Sequence, residues 1–183
     1  MEESRETKAA GRAGGRIIVN TGDGKGKTTA ALGTAFRAAG HGKNVAIVQF
    51  LKGKWTYGEF LAVQRFPNIY LARTGTGFTW EKDDLQEDRE LAMKAWNISK
   101  KLVASDEYDL LVLDELNYAI GYSFIEVDAV IKLLRGKPEQ LSVIVTGRGA
   151  PKEIVDEADT VTEMRTVKHA FSNGRRGQKG IEY

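Results

Sequence analysis

Apolar residues in this chain fall into short continuous runs, separated by helical patterns and glycine-rich turns. Residues 17–19 predict a first buried strand. The glycine-rich turn that follows opens a predicted helix over 27–39, which Gly40 and Gly42 bring to an end. Residues 45–51 (VAIVQFL) predict a second strand, 58–65 a helix and 69–72 a third, weaker strand. The longest predicted helix covers 84–104, with Leu91, Ala95, Ile98 and Leu102 on one face at spacings of three or four. Strands at 110–113 and 142–145 then flank a helix at 127–134, and a short helix at 152–157 precedes a last strand at 160–164. Runs that are apolar throughout, without alternation, suit parallel strands covered on both faces. The regular exchange of strand and helix therefore predicts an α/β fold, doubly wound around a mostly parallel sheet of about six strands. Sheets of this kind bind ligands at the carboxyl ends of their strands, so the residues just after each run carry the information.

Composition narrows the chemistry. Lys plus Arg number 27 against 25 Asp plus Glu, a net charge of +2, which argues against a strongly basic nucleic-acid packer and gives no reason to expect a nucleic-acid partner. With no cysteine and only His41 and His169, disulfides, thiolate zinc sites and histidine-rich metal sites are out. A divalent cation held by oxygen ligands stays open. No run approaches the roughly 18 apolar residues of a membrane helix, and the opening MEESRETKAAGRAGG lacks the apolar core of a secretory signal. No membrane association and a cytoplasmic location are the expectation. Residues 1–15 read as a mobile amino-terminal arm and 16–183 as a single domain.

The first strand runs into Asn20-Thr21-Gly22-Asp23-Gly24-Lys25-Gly26-Lys27-Thr28-Thr29. A phosphate loop needs glycine, four residues, then Gly-Lys-Ser/Thr. Gly26, Lys27 and Thr28 meet its end, while its first glycine falls on Thr21, with Gly22 one place late. The chemistry tolerates that shift. Backbone N–H groups converge on phosphate oxygens, the helix adds its positive end, Lys27 supplies a point charge and the Thr28 hydroxyl can reach Mg²⁺. A nucleoside triphosphate site in a P-loop NTPase architecture of RecA-like build follows, although the motif does not say what happens to the triphosphate.

Asp114 and Glu115 close the fourth apolar run, where carboxylates can hold a metal and its waters. The fifth strand runs into Thr146-Gly147-Arg148-Gly149, and the planar donor fork of Arg148 suits phosphate. Phe78 and Trp80, two positions apart, lie in the glycine-containing loop Gly75-Thr76-Gly77-Phe78-Thr79-Trp80. Such a pair either plugs a core edge or forms a platform for a flat ligand; base stacking is not supported by any basic stripe nearby. Residues 165–180 carry five Lys or Arg and no acid, which reads as a solvated tail or as a contact for an anionic ligand.

Taken together, TGDGKGKTTAA, VQFLKG, GTGFTWE, LVLDELNYA, VIVTGRG and VKHAF closely resemble the P-loop-type ATP:corrinoid adenosyltransferases, the enzymes that make adenosylcobalamin. The likeness runs from about Arg16 to Tyr183, with the motifs in the family's order. It implies transfer of the 5′-deoxyadenosyl group of ATP to the Co(I) of a reduced corrinoid (cobalamin or a relative), with release of intact triphosphate. Carried over by position, Gly22, Asp23, Gly24, Lys25, Gly26, Lys27, Thr28, Thr29 and Arg148 bind the nucleotide. Thr28 and Glu115 hold Mg²⁺ or Mn²⁺, with Asp114 second. The implied catalytic set is Lys27, Glu115, Phe78 and Trp80, the two rings crowding the lower cobalt face so that Co(II) is easier to reduce. Asp23 departs from the family, where asparagine is common, and adds a negative charge near the phosphates. The resemblance also implies a homodimer and an electron donor such as a reduced flavoprotein.

Overall fold

The computed structural model of the protein describes residues 14–52, 58–75 and 85–182. Six strands, β1 (Ile17–Thr21), β2 (Val45–Gln49), β3 (Ile69–Arg73), β4 (Leu110–Asp114), β5 (Ser142–Thr146) and β6 (Thr160–Glu163), form one sheet in the order β3-β2-β4-β5-β1-β6. Every pairing is parallel. Among the described residues six α-helices connect them: α1 (Lys27–Gly40), α2 (Gly58–Val63), α3 (Gln86–Ser105), α4 (Leu116–Gly121) followed directly by α5 (Val127–Arg135), and α6 (Lys152–Glu157).

The period-two geometry of strands divides the apolar runs between two cores. Ile47, Val112 and Ile144 align across β2, β4 and β5 and pack under Ala31, Leu32 and Ala35 of α1. Their neighbours Val48, Leu113, Val145 and Val19 line up on the opposite face, against Trp96 of α3, Leu134 of α5 and Ile154 of α6. Burying each such side chain stabilises the fold by roughly 1.5–3 kcal/mol. Because β4 is buried at all five positions, the acids at its end sit on a rigid support.

The structure departs from the sequence reading in several places: β2 stops at Gln49, short of the predicted residue 51, and α2 at Val63, short of the predicted residue 65. In α3 the inward face is Ala92, Ala95, Trp96, Ser99 and Val103, offset from the predicted stripe, and Leu91, Ile98 and Leu102 flank it half-buried. Small Ala92 and Ser99 let the helix approach the sheet, and Ser99 Oγ satisfies itself by donating to Ala95 O at 2.9 Å. A stripe counted on large apolar residues overlooks such a serine. Helix α4 has no counterpart in the reading, since six residues are too few to show a period, although Leu116, Ala119 and Ile120 are buried. β6 is an exposed edge strand that stops at Glu163, short of the predicted Met164.

The amino-terminal arm lies mostly in residues 1–13, outside the described residues. Gly15 is tied to the body: its N–H donates to Glu139 O at 2.7 Å, and a Cβ there would stand 2.0 Å from Leu141 O.

Candidate active site

β1 delivers the phosphate loop to the carboxyl edge of the sheet. Gly22 (φ 90°) and Gly26 (φ 111°) occupy the left-handed region that favours glycine. At Gly22 the demand is doubled, because a Cβ would stand 2.4 Å from Met164 O. The chain leaving β6 forms the outer wall of the loop: Gly24 N donates to Met164 O at 2.6 Å, and Met164 N to Thr21 O at 2.8 Å. This accounts for the displaced first glycine of the motif. Position 21 uses a side chain, whose hydroxyl accepts the Ala150 N–H at 3.1 Å, while position 22 has room for none.

Lys27 opens α1, and its Nζ donates to Gly22 O and Gly24 O, each at 2.7 Å. Burial lowers the Lys27 ammonium below the usual lysine range, against an upward pull from Glu115. No acidic side chain sits in the first turn of α1 to offset the positive helix end.

Thr28, one residue further on, donates its hydroxyl to Asp114 Oδ1 at 2.8 Å, although 86 positions separate them. Asp114 is fully buried and accepts three more bonds. Thr146 Oγ1 reaches Oδ1 at 2.7 Å, while Gln49 Nε2 and Lys52 Nζ each reach Oδ2 at 3.1 Å. Lys52 also pairs with Glu59 of α2 at 3.1 Å. Burial pulls the Lys52 ammonium down, yet Asp114 and Glu59 more than offset it, so it ends above the normal lysine value.

Glu115 contrasts with its neighbour. Its backbone is left-handed (φ 65°) and its N–H donates to Thr146 Oγ1 at 2.9 Å. Its buried Oε2 has no hydrogen-bond partner. Burial, reinforced by the Asp114 charge, pushes the Glu115 carboxyl up to about 7, with Lys52, Lys27 and Arg148 pulling the other way. A hard oxygen ligand held in this condition gains from a cation brought close to it.

The third wall follows β5. Gly147 (φ 128°) packs on Asn117, whose Nδ2 donates to Gly147 O at 3.0 Å. Arg148 then turns towards the phosphate loop, with Nη2 3.5 Å from Asp23 O and Nε 3.8 Å from Asp23 Oδ1. Both side chains are solvent-exposed, so the pair itself contributes little to stability.

A phosphate loop, a backed threonine and an unsatisfied strand-end acid are common property of triphosphate sites; the whole sequence decides among them. Residues 13–183 match the family model described as ATP:corrinoid adenosyltransferase BtuR/CobO/CobP. The chain belongs to the ATP:corrinoid adenosyltransferase family. Corrinoid adenosyltransferase CobA of Salmonella typhimurium is 47% identical over 169 residues, covering 92% of this chain and 86% of that protein. The corrinoid adenosyltransferase of Pseudomonas aeruginosa is 44% identical over 170 residues, covering 92% and 84%. Among solved structures, a KaiC-like protein from Pyrococcus horikoshii superposes with a TM-score of 0.51 at 14% identity, covering 83% of this chain and 73% of that one. That likeness supports the P-loop NTPase fold alone.

In this adenosyltransferase Gly22, Gly24, Gly26, Lys27, Thr28, Asp114 and Glu115 converge on one edge of the sheet, with Arg148 and Asp23 at the loop's outer side. Lys25 is directed elsewhere, pairing with Glu182 of the tail at 2.8 Å, and Thr29 lies exposed on α1. Phe78 and Trp80 fall outside the described residues. The tail is exposed, with Val167, Phe171 and Ile181 more than three-quarters accessible, and His169 Nδ1 accepts the Phe171 N–H at 3.1 Å. Sequence reasoning missed Gln49, Lys52, Thr146 and Met164. The first two carried a signal, as polar residues at the end of the apolar run VAIVQFLK.

Proposed function

We propose that this adenosyltransferase moves the 5′-deoxyadenosyl group of ATP onto the Co(I) centre of a reduced corrinoid and releases intact triphosphate. The cobalt electron pair attacks C5′, the C5′–oxygen bond breaks, and that bond's electrons leave on the triphosphate. What supports the reading is a phosphate loop with its lysine, threonine and strand-end acids at one edge of the sheet, in a chain of this family. Lys27 and the loop N–H groups hold charge that grows on the leaving triphosphate, the condition for lowering such a barrier. Gly22 and Gly24 let the chain after β6 pack against the loop and so fix its shape, and Arg148 bounds the nucleotide from the β5 side.

A divalent cation, Mg²⁺ or Mn²⁺, fits the residues present. Glu115 offers an unsatisfied buried oxygen, and Thr28 commits its proton to Asp114 and so turns its lone pairs outward. Among the described residues no group of three or more His, Cys, Asp or Glu side chains converges, so the nucleotide would complete the ligand set. When bound, the cation neutralises charge on the triphosphate. Thr28 and Glu115 are its ligands in this reading, with Asp114 behind them.

Phe78 and Trp80 serve the corrinoid, crowding the lower cobalt face. A reduced flavoprotein supplies the electron, and the protein works as a cytoplasmic homodimer. Among the described residues no helix is long and apolar enough to cross a membrane.

Identifying the inorganic product tests the reaction. Purified protein with ATP, cation and chemically reduced corrinoid should release triphosphate, and none without corrinoid. ADP would point to a phosphotransferase, and orthophosphate to an ATP-gated regulatory protein; either would overturn the proposal.

A further inference from the structure

The carboxylate behind Thr28 is itself held in place, and the residue that holds it lies outside the phosphate loop and the strand-end acids. Asp114 divides its acceptors: Oδ1 faces the hydroxyls of Thr28 and Thr146, and Oδ2 faces Gln49 and Lys52. A carboxylate is planar, so fixing Oδ2 fixes the direction of Oδ1. Lys52 is the charged member of that pair, and charge-assisted bonds are roughly twice as strong as neutral ones.

Lys52 is in turn constrained from three directions. Leu51 before it takes a left-handed backbone (φ 55°), a strained conformation for leucine. The backbone of Gly75 is packed against the same turn, where a Cβ would stand 2.5 Å from Lys52 N. Glu59 Oε1 holds the ammonium from α2 at 3.1 Å. The side chain is only 16% exposed, unusual for a lysine. An ordinary solubilising lysine shows none of this.

We propose that Lys52 is a positioning residue for the cation that accompanies ATP: by locking Asp114 Oδ2 it aims Oδ1 at the Thr28 hydroxyl, and so aims the Thr28 lone pairs at the ion. The inference deepens the reading of Thr28 as a cation ligand and rests on it. Glu59 extends the lock to α2, so that the placement of that helix and the order of the cation site are joined through one ammonium group.

The test measures ATP binding to the full-length protein by calorimetry, without corrinoid, across a Mg²⁺ titration and in chelator. Lys52→Met should raise the Mg²⁺ concentration needed for half of the metal-dependent gain in ATP affinity by roughly 10–100-fold, the usual effect of losing an outer-shell partner. ATP affinity in chelator should stay at the wild-type value. Lys52→Arg, which keeps the charge and the donors, should bring the midpoint back towards wild type. If Lys52→Met does not fold, Lys52→Gln removes the charge with a polar side chain and should shift the midpoint in the same direction. A purely structural role would lower melting temperature and both ATP affinities together while leaving the Mg²⁺ midpoint in place, and that result would overturn the proposal. Thr28→Val separates the two layers of the argument. If it abolishes the metal-dependent gain while Lys52→Met leaves the midpoint unmoved, the inference fails and the Thr28 reading stands. If Thr28→Val keeps the gain, the Thr28 reading fails and the inference with it.

Discussion

Glu115 should weaken the ligand-free protein at the pH where the protein needs it charged. Its carboxyl is raised from 4.5 to about 7, chiefly by burial. Between those values the folded chain binds a proton that the unfolded chain has already lost. Stability therefore falls as pH rises through this window, and the loss is complete above it. A tenfold change in proton affinity corresponds to about 1.4 kcal/mol, so the deficit at pH 8 is about 3 kcal/mol. Glu115→Gln carries no charge at any pH and escapes it. Ligand-free Glu115→Gln should match wild type closely near pH 4.5 and exceed it by about 3 kcal/mol at pH 8, or ~6–12 °C in melting temperature for a chain of this size. Calorimetric melts of both proteins in chelator, at pH 4.5 and pH 8, make the measurement. With ATP and Mg²⁺ present the advantage should shrink, and adenosyl transfer should fall at least tenfold, because the amide is a poor cation ligand; such a trade of stability for function is a common feature of active sites. A melting difference that is equal at both pH values, or a variant less stable at pH 8, would refute the argument that a buried charge is being held at cost.

Lys27→Ala should abolish activity and severely weaken ATP binding while circular dichroism stays native; turnover at the wild-type rate would remove Lys27 from the triphosphate. Gly22→Ala should disrupt the loop, since its Cβ would fall 2.4 Å from Met164 O, and ATP affinity measured by calorimetry should drop well over tenfold even where the sheet stays folded. Phe78→Ala and Trp80→Ala should leave ATP binding nearly intact and slow the reaction starting from Co(II) more than the one starting from chemically reduced Co(I). Equal slowing of both would place the rings away from the cobalt face.

Much of the site was legible because its parts stand where apolar runs stop. Asp114 ends its strand, Glu115 and Arg148 stand within two residues of one, and Lys27 and Thr28 open the helix beyond the loop that β1 feeds, so the rule that ligands gather at strand ends points to all of these candidates. The backing network was harder to see. Gln49 and Lys52 belong to one other segment and Thr146 to a second, and only the strand order β2-β4-β5 brings them to Asp114. A sequence shows which residues end a run but not which runs become neighbours. Met164 was hidden for a related reason: it acts through its backbone, against glycines some 140 positions earlier in the chain, and no side-chain pattern announces that. Helix α3 shows the remaining gap, since a buried serine satisfied by its own helix looks like a solvent-facing residue until the helix is placed.

The position of β1 has a consequence for how the chain comes to be folded. The strand that carries the phosphate loop is the first of the six to be synthesised, yet its two neighbours are β5 and β6, the last. β2, β3 and β4 can pair among themselves while β1 has no edge to join. Ile17 must wait for Val143, and Ile18 for Thr160 as well. Closing loops of that length is entropically expensive and slow. Nascent chains that end before residue 142 should therefore hold the nucleotide motif on an unpaired strand, and ATP binding is expected only once β5 is in place. A ligand that binds only the finished sheet would, by mass action, favour the pairing of its last strands.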